Sequence, residues 1–119
     1  MERIEQTILA NLVRDDEYTR RVLPFLKDEY FSDRTERRVF MEIESFVGKY
    51  NNLPTKEALM IGLEEMGSLT ESEYKECKDT IVGIMGEEES SDPKWLLDTT
   101  EQWCKDRSIY NAILESISI

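Results

Sequence analysis

The side chains able to do chemistry in this chain of 119 residues are carboxylates, lysines, tyrosines and two thiols, because the sequence contains no histidine. Histidine is the commonest general base near neutral pH and the commonest zinc ligand. Cys77 and Cys104 lie far apart in the sequence, and neither belongs to a Cys-x-x-Cys pair. We interpret both as reduced, buried thiols, so the sequence predicts no metal or redox centre.

Acidic residues cluster at 15–17, 64–65 and 87–89. None of these clusters has the alternating oxygen ligands and central glycine of a calcium loop, so we assign them to solubility. Gly48 and Lys49 form a Gly-Lys pair, but Ile43 and Tyr50 stand where a phosphate-binding loop has its first glycine and its Ser or Thr. No catalytic, cofactor-binding or metal-binding residue can be assigned. We therefore expect an interaction domain without enzyme activity or a cofactor of its own.

The formal charge of -11, from 26 acidic and 15 basic residues, produces a field that repels phosphate backbones. Tight nucleic-acid binding by the whole surface is therefore not expected. The local basic residues at 20–21, 34 and 37–38 are interpreted as solvated helix faces or intramolecular ion pairs rather than DNA contacts. No apolar run is long enough for a signal peptide or a membrane span, so we expect a soluble, cytoplasmic protein without membrane contact.

The clearest predicted element is a central helix over 34–50. Asp33 is placed to cap its first turn, with Glu36 completing a capping-box-like start, and Leu53-Pro54 lies beyond its end. Its apolar residues recur at spacings of three and four, which predicts one inward face: Val39, Phe40, Ile43, Phe46, Val47 and Tyr50.

The rest of the chain is also expected to be helical. We predict a helix over 2–14, then a short one that Pro24 ends or distorts, whose inner face is Tyr18, Val22, Phe25 and Leu26. Tyr30 and Phe31 are expected to enter the core beside the central helix. A fourth helix over 55–66 ends before Gly67, and a capping box at Thr70 opens a fifth that ends at Gly86. Gly83 within it suggests close helix packing or an early end.

The fold class is therefore all-α: a compact bundle of about five helices over 1–86, an acidic linker at 87–91, and a long C-terminal helix over 92–119. Asp92 and Pro93 are suited to begin that helix. Along it we trace one seam at helical spacing: Trp95, Thr99, Trp103, Tyr110, Leu114 and Ile117. It has no stop signal, so we expect it to continue in a longer parent protein. Its second half is apolar around more of its circumference than a small bundle covers, although complete wrapping by the bundle is an alternative.

With these elements placed, the chain resembles the N-terminal domain of the DnaB-like replicative helicases, most closely those of tailed phages. The resemblance covers nearly the whole chain. It is carried by ERIEQTILANLVRDDEY, DEYFSDRTERRVFMEIESFVGKYNNLPT, LTESEYKECKDTIVGI and DPKWLLDTTEQWCKDRSIYNAILE. The most telling positions are Tyr30-Phe31-Ser32 before the central helix and Asn52-Leu53-Pro54-Thr55 after it.

The resemblance implies an all-helical collar of a hexameric ring, in which N-terminal domains pair through a helical hairpin and the collar docks the primase. The segment 92–119 would then be the first hairpin arm. Single-stranded DNA, ATP and magnesium would be bound mainly by the parent protein, whose C-terminal motor domain is absent here, in the cytoplasm of the host cell. The residues expected to meet a neighbouring subunit or partner are Trp95, Trp103, Ile109, Tyr110, Ile113, Leu114 and Ile117. Trp103→Ala or Ile113→Asp is expected to weaken self-association of the parent protein while leaving this fragment mostly helical.

Three alternatives stay open. The first is the helicase-binding domain of a primase, which has a related helical fold. The second is a free-standing acidic phage protein that imitates DNA or binds a host or replication protein. The third is a small helical enzyme that uses carboxylates, although no motif places a pair. The intact mass of the native protein distinguishes a fragment of a larger helicase from a free-standing protein.

Overall fold

A computed structural model describes residues 3–87 and 91–117, and over these residues the fold is all-α, as predicted. A short 3-10 turn, Asp28–Tyr30, interrupts the helices and precedes the central one. The described helices are α1 (Arg3–Leu12), α2 (Asp16–Val22), α3 (Arg34–Tyr50), α4 (Lys56–Met66), α5 (Glu71–Met85) and α6 (Pro93–Ile117). Of the proposed linker, residues 88–90 lie outside the described residues, so the division at 87–91 stays a prediction. No helix in the described ranges combines the length and the apolar character that a bilayer crossing requires.

Helix ends lie close to the predicted positions because the capping residues are present. The side-chain oxygens of Asp33, Thr55 and Thr70 each accept a hydrogen bond from the backbone N–H three residues later, at 3.1–3.2 Å. These bonds satisfy first-turn donors that have no partner within the helix. Asn51 and Gly67, with φ of 53° and 65°, take the left-handed conformation that ends α3 and α4. The local sequence therefore determines where these helices begin and stop.

The core is built around α3 and the segment that leads into it. Val39, Phe40 and Ile43 of α3 are fully buried, as is Phe31, whose ring stacks on Phe40 with centroids 4.9 Å apart. Tyr30 is also buried. The prediction that Tyr30 and Phe31 enter the core is confirmed, and two large aromatic side chains thereby fix the connector against the bundle.

Two aromatic residues predicted to face inward are exposed instead. α2 ends at Val22, and the following turn, in which the Phe25 and Leu26 N–H groups both donate to the Val22 carbonyl, buries Leu26 and turns Phe25 outward. Tyr50 is the last residue of α3 and lies beyond the part of that helix that its neighbours cover. Its ring packs beside Phe46, with centroids 4.8 Å apart, and the Lys49 ammonium lies 5.5 Å from its centroid. A periodic pattern locates a face, but it does not show where along the helix the packing stops.

Glu36 also departs from its predicted role. Its backbone N–H donates to Asp33, but its side chain is fully buried beside the equally buried Glu5 instead of completing a capping box. Glu5 accepts hydrogen bonds from the Ser32 backbone N–H at 3.2 Å and the Ser32 hydroxyl at 3.3 Å. Burial, and secondarily the neighbouring Glu5 carboxyl, raise the pKa of Glu36 to about 8. Two carboxyl groups thus share one desolvated position where α1 meets the start of α3.

Gly83 is expected to be a site where alanine stabilises the protein. A Cβ atom at this position in α5 would meet nothing within 4 Å, so the suggestion of close helix packing is wrong, and α5 continues to Met85. Gly83→Ala should raise the free energy of unfolding by about 0.5–1 kcal/mol, because alanine loses less backbone entropy in a helix. The midpoint of urea denaturation measures this change.

Gly67→Ala is the matched control. Its φ of +65° strains any L side chain, so the same substitution there should lower the midpoint. Equal shifts for the two variants would show that helix propensity is not the cause at Gly83.

Candidate subunit interface

The N-terminal half of α6 is held against the bundle by one buried face. The helix begins as predicted, with the Trp95 backbone N–H donating to the Asp92 carboxylate at 2.9 Å. Its buried residues are Leu96, Thr100, Trp103 and Cys104. The hydroxyls of Thr100 and Tyr18 form a buried hydrogen bond of 2.7 Å between α6 and α2. Of the seam that the sequence traced, only Trp103 is among these buried residues.

Trp103 belongs to the core and not to a surface that could meet a partner. Only 7% of it is exposed, and its ring centroid lies 5.0 Å from that of Phe31 and 6.1 Å from that of Tyr30. A side chain in this position cannot contact another subunit without unpacking the bundle. Trp103 is therefore removed from the set of interface residues that the sequence suggested.

Two polar residues of α6 fix the direction in which the helix leaves the bundle. The Arg107 guanidinium donates from Nε to the Tyr30 carbonyl at 2.7 Å, and the Asn111 side-chain amide donates to the Glu29 carbonyl at 3.0 Å. Both acceptors belong to the 3-10 turn that leads into α3. The sequence pattern did not predict these contacts, since polar residues on a helix usually face solvent. Arg107 and Asn111 are four residues apart and therefore lie on one side of the helix. Two hydrogen-bond donors placed in this way are the sequence signal that could have suggested contacts with backbone carbonyls.

From Ile109 onward, α6 carries an exposed apolar surface that we call the arm stripe: Ile109, Tyr110, Ile113, Leu114 and Ile117. These side chains are between 47% and 73% exposed, and residues 112–117 are all exposed. Their spacing of three and four places them along one side of the helix. The alternative that the bundle wraps α6 completely is therefore wrong. Such a stripe is typical of a helix that packs against a partner.

Trp95 is exposed on the same side of α6 but is separate from the arm stripe. It lies about five turns before Ile113, which puts the two side chains on one face roughly 27 Å apart. Between them the face is polar, and the Gln102 amide donates to Asp106 at 2.9 Å. Trp95 could meet the same partner only if that partner followed the whole length of α6.

The described residues hold no exposed thiol and no cluster suited to a metal ion. Both cysteines are buried, and burial raises the pKa of Cys104 to about 11 and shifts that of Cys77 upward, so both thiols are protonated near neutral pH. Within residues 3–87 and 91–117, no group of three His, Cys, Asp or Glu side chains could hold a metal ion. What the described surface offers is a helical arm with exposed apolar side chains.

Fold and surface together define the class of this protein: an all-helical module whose last helix projects an apolar stripe. The sequence is 33% identical over 114 residues, 96% of the chain, to a DnaB-like replicative helicase of Enterobacteria phage T4. The chain spans 23% of the length of that helicase and so matches one region of it. No family model matches the chain. Its resemblance to the DnaB-like replicative helicases, predicted from the sequence, is therefore confirmed.

Proposed function

We propose that this chain is the N-terminal collar domain of a phage replicative DNA helicase and acts in DNA replication by supporting assembly of the helicase ring. The observation that carries the proposal is the similarity of nearly the whole chain to one region of a DnaB-like replicative helicase. An all-helical module whose last helix exposes an apolar stripe is what a collar that joins subunits requires.

In the proposed ring, α6 is the first arm of a helical hairpin, and the arm stripe packs against the second arm or against the arm of a neighbouring subunit. Burying five large apolar side chains would contribute several kcal/mol to association. The formal charge of -11 disfavours contact with the DNA backbone. The collar would therefore hold subunits together, and single-stranded DNA would be bound elsewhere in the parent protein.

The remaining roles of the proposed parent protein follow from the same family. ATP and magnesium would be bound by a separate motor domain, and strand translocation would take place there. The collar would also dock the primase, so that primer synthesis stays beside the unwinding fork, in the cytoplasm of the host cell. The similarity to a helicase favours this proposal over a primase domain or a free-standing acidic phage protein.

Ile113→Asp in the full-length protein is expected to dissociate the assembly, because a carboxylate placed in an apolar helix contact must be desolvated. A loss of affinity between subunits of about 100-fold or more corresponds to the ~3 kcal/mol that such burial costs. Mass photometry across a range of protein concentrations measures the change.

Ile61→Asp is the matched control. Ile61 lies in α4 and is 53% exposed, against 54% for Ile113, so both substitutions change the same residue type at equal exposure. We expect this variant to assemble as the wild type does. An unchanged assembly for Ile113→Asp, or equal losses for both variants, would contradict the proposed interface. An intact native mass near 14.0 kDa would contradict the helicase parent itself.

A further inference from the structure

A groove of about 1050 Å³ lies between α6 and the end of α2, away from the exposed tip of the arm. One wall is the turn after α2, which carries Pro24 and Phe25, and the other is the α6 face that runs from Leu97 to Ile109. Its volume is at the upper end of the range for ligand sites and suits a segment of helix better than a small molecule.

Apolar side chains at the rim are positioned to grip such a segment. Phe25, on one wall, is 67% exposed although it is a large aromatic residue, and Ile109 is similarly exposed on the other wall. The floor between them is closed by the buried residues Val22 and Tyr30. An apolar residue entering between Phe25 and Ile109 would therefore be enclosed on three sides.

Charges around the groove are not balanced. On the α6 wall, Asp98 pairs with Lys94 at 2.9 Å and Glu101 pairs with Lys105 at 3.2 Å, so both carboxylates already have cationic partners. On the opposite wall, Arg21 and Lys27 form no ion pair with any described residue. Two cations without an ion pair among the described residues therefore lie beside an apolar groove on a protein whose formal charge is -11.

We propose that this groove binds an acidic amphipathic helix of a partner protein. The apolar face of that helix would lie between Phe25 and Ile109, and its flanking carboxylates would reach Arg21 and Lys27. Complementary charge of this kind selects the partner and its orientation, while the apolar contact supplies most of the affinity. The proposal rests on the groove alone and does not depend on the proposed role in a helicase ring.

The test uses three synthetic helical peptides of about 18 residues, long enough to hold a helix, with one leucine stripe flanked by Glu, Gln or Lys. Binding to the 119-residue chain is measured by fluorescence anisotropy, and the binding site is located from backbone amide NMR shifts. We expect the Glu peptide to bind about tenfold more tightly than the Lys peptide, with shifts at residues 21–27 and 97–109. The Arg21→Glu/Lys27→Glu variant should reverse that preference.

Lys56→Glu/Lys78→Glu is the matched control, because it makes the same charge change at exposed sites outside the groove. This variant should keep the wild-type preference. The proposal is overturned if the Glu and Lys peptides bind equally or if the control shifts the preference as far as the groove variant does. It is overturned as well if the NMR shifts map to residues 113–117 instead of the groove. It is also overturned if a single-stranded oligonucleotide binds at residues 21–27 more tightly than the Glu peptide does. Arg21 and Lys27 would then be binding phosphate groups instead of carboxylates.

Discussion

Trp103→Ala is expected to lower the free energy of unfolding by about 3–5 kcal/mol, which is a large fraction of the stability of a domain of this size. The substitution removes an indole that packs on Phe31 at 5.0 Å and Tyr30 at 6.1 Å and leaves a cavity beneath α6. Because the same two residues fix the connector into α3, the loss is not confined to one helix. Urea denaturation followed by far-UV circular dichroism measures it.

Trp95→Ala is the matched control, since Trp95 lies on the same helix but is half exposed. We expect its effect on stability to stay within about 0.5 kcal/mol, as for most surface substitutions. Similar losses for the two variants would show that Trp103 is not a core residue. The expectation from sequence, that Trp103→Ala leaves the fragment mostly helical and reports on self-association, is replaced by this one, because unfolding would obscure any change in assembly.

The second large effect concerns pH and the buried carboxyl of Glu36. Its pKa is raised to about 8 in the folded chain, first by burial and then by Glu5, whereas the unfolded chain has the ordinary value of 4.5. Between these two pH values the folded state holds a proton that the unfolded state has released. The contribution of Glu36 to the free energy of unfolding is therefore most favourable below about pH 4.5. It falls by up to ~1.4 kcal/mol per pH unit as the pH rises to about 8.

Glu36→Gln should remove that slope. Glutamine cannot ionise, and its amide can donate to the Glu5 carboxyl, so the variant should gain stability over the wild type as the pH rises. Denaturation midpoints at pH 5, 7 and 9 measure the difference, with Glu57→Gln at an exposed position of α4 as the control. A wild-type profile as flat as that of Glu36→Gln would show that Glu36 is ionised in the folded protein.

Sequence reasoning succeeded where the cause of the structure is local. The hydroxyl of Thr70, the carboxylate of Asp33 and the left-handed Gly67 each act within one turn of their own position, so the residue type is enough to place a helix end. Tyr30 and Phe31 could be assigned to the core because two adjacent aromatic residues in a short connector are seldom left exposed.

Sequence reasoning failed where the local sequence allowed several arrangements of a helix or side chain equally well. The second half of α6 is apolar on most sides, so periodicity alone could not show which arc faces the bundle, and the seam that the sequence traced contained mainly exposed residues. The side of α6 that faces the bundle is selected by partners far away in the sequence. These are Tyr18, which bonds to Thr100, and the backbone carbonyls that accept from Arg107 and Asn111. Glu36 was misjudged for a similar reason, because a carboxyl that could cap its own helix was drawn inward beside Glu5.

The contacts of Tyr30 give the arm mechanical properties. The ring of Tyr30 packs edge-on against Trp103, while its carbonyl holds the Arg107 guanidinium one turn further along the same helix. A force on the C-terminal end of α6 would thus be transmitted through Tyr30 to the connector and on to α3. Between Trp103 and Asn111 the helix is attached to the connector at each turn. α6 and the bundle should therefore move as one rigid body, so that a partner bound at the end of α6 would also set the orientation of the bundle.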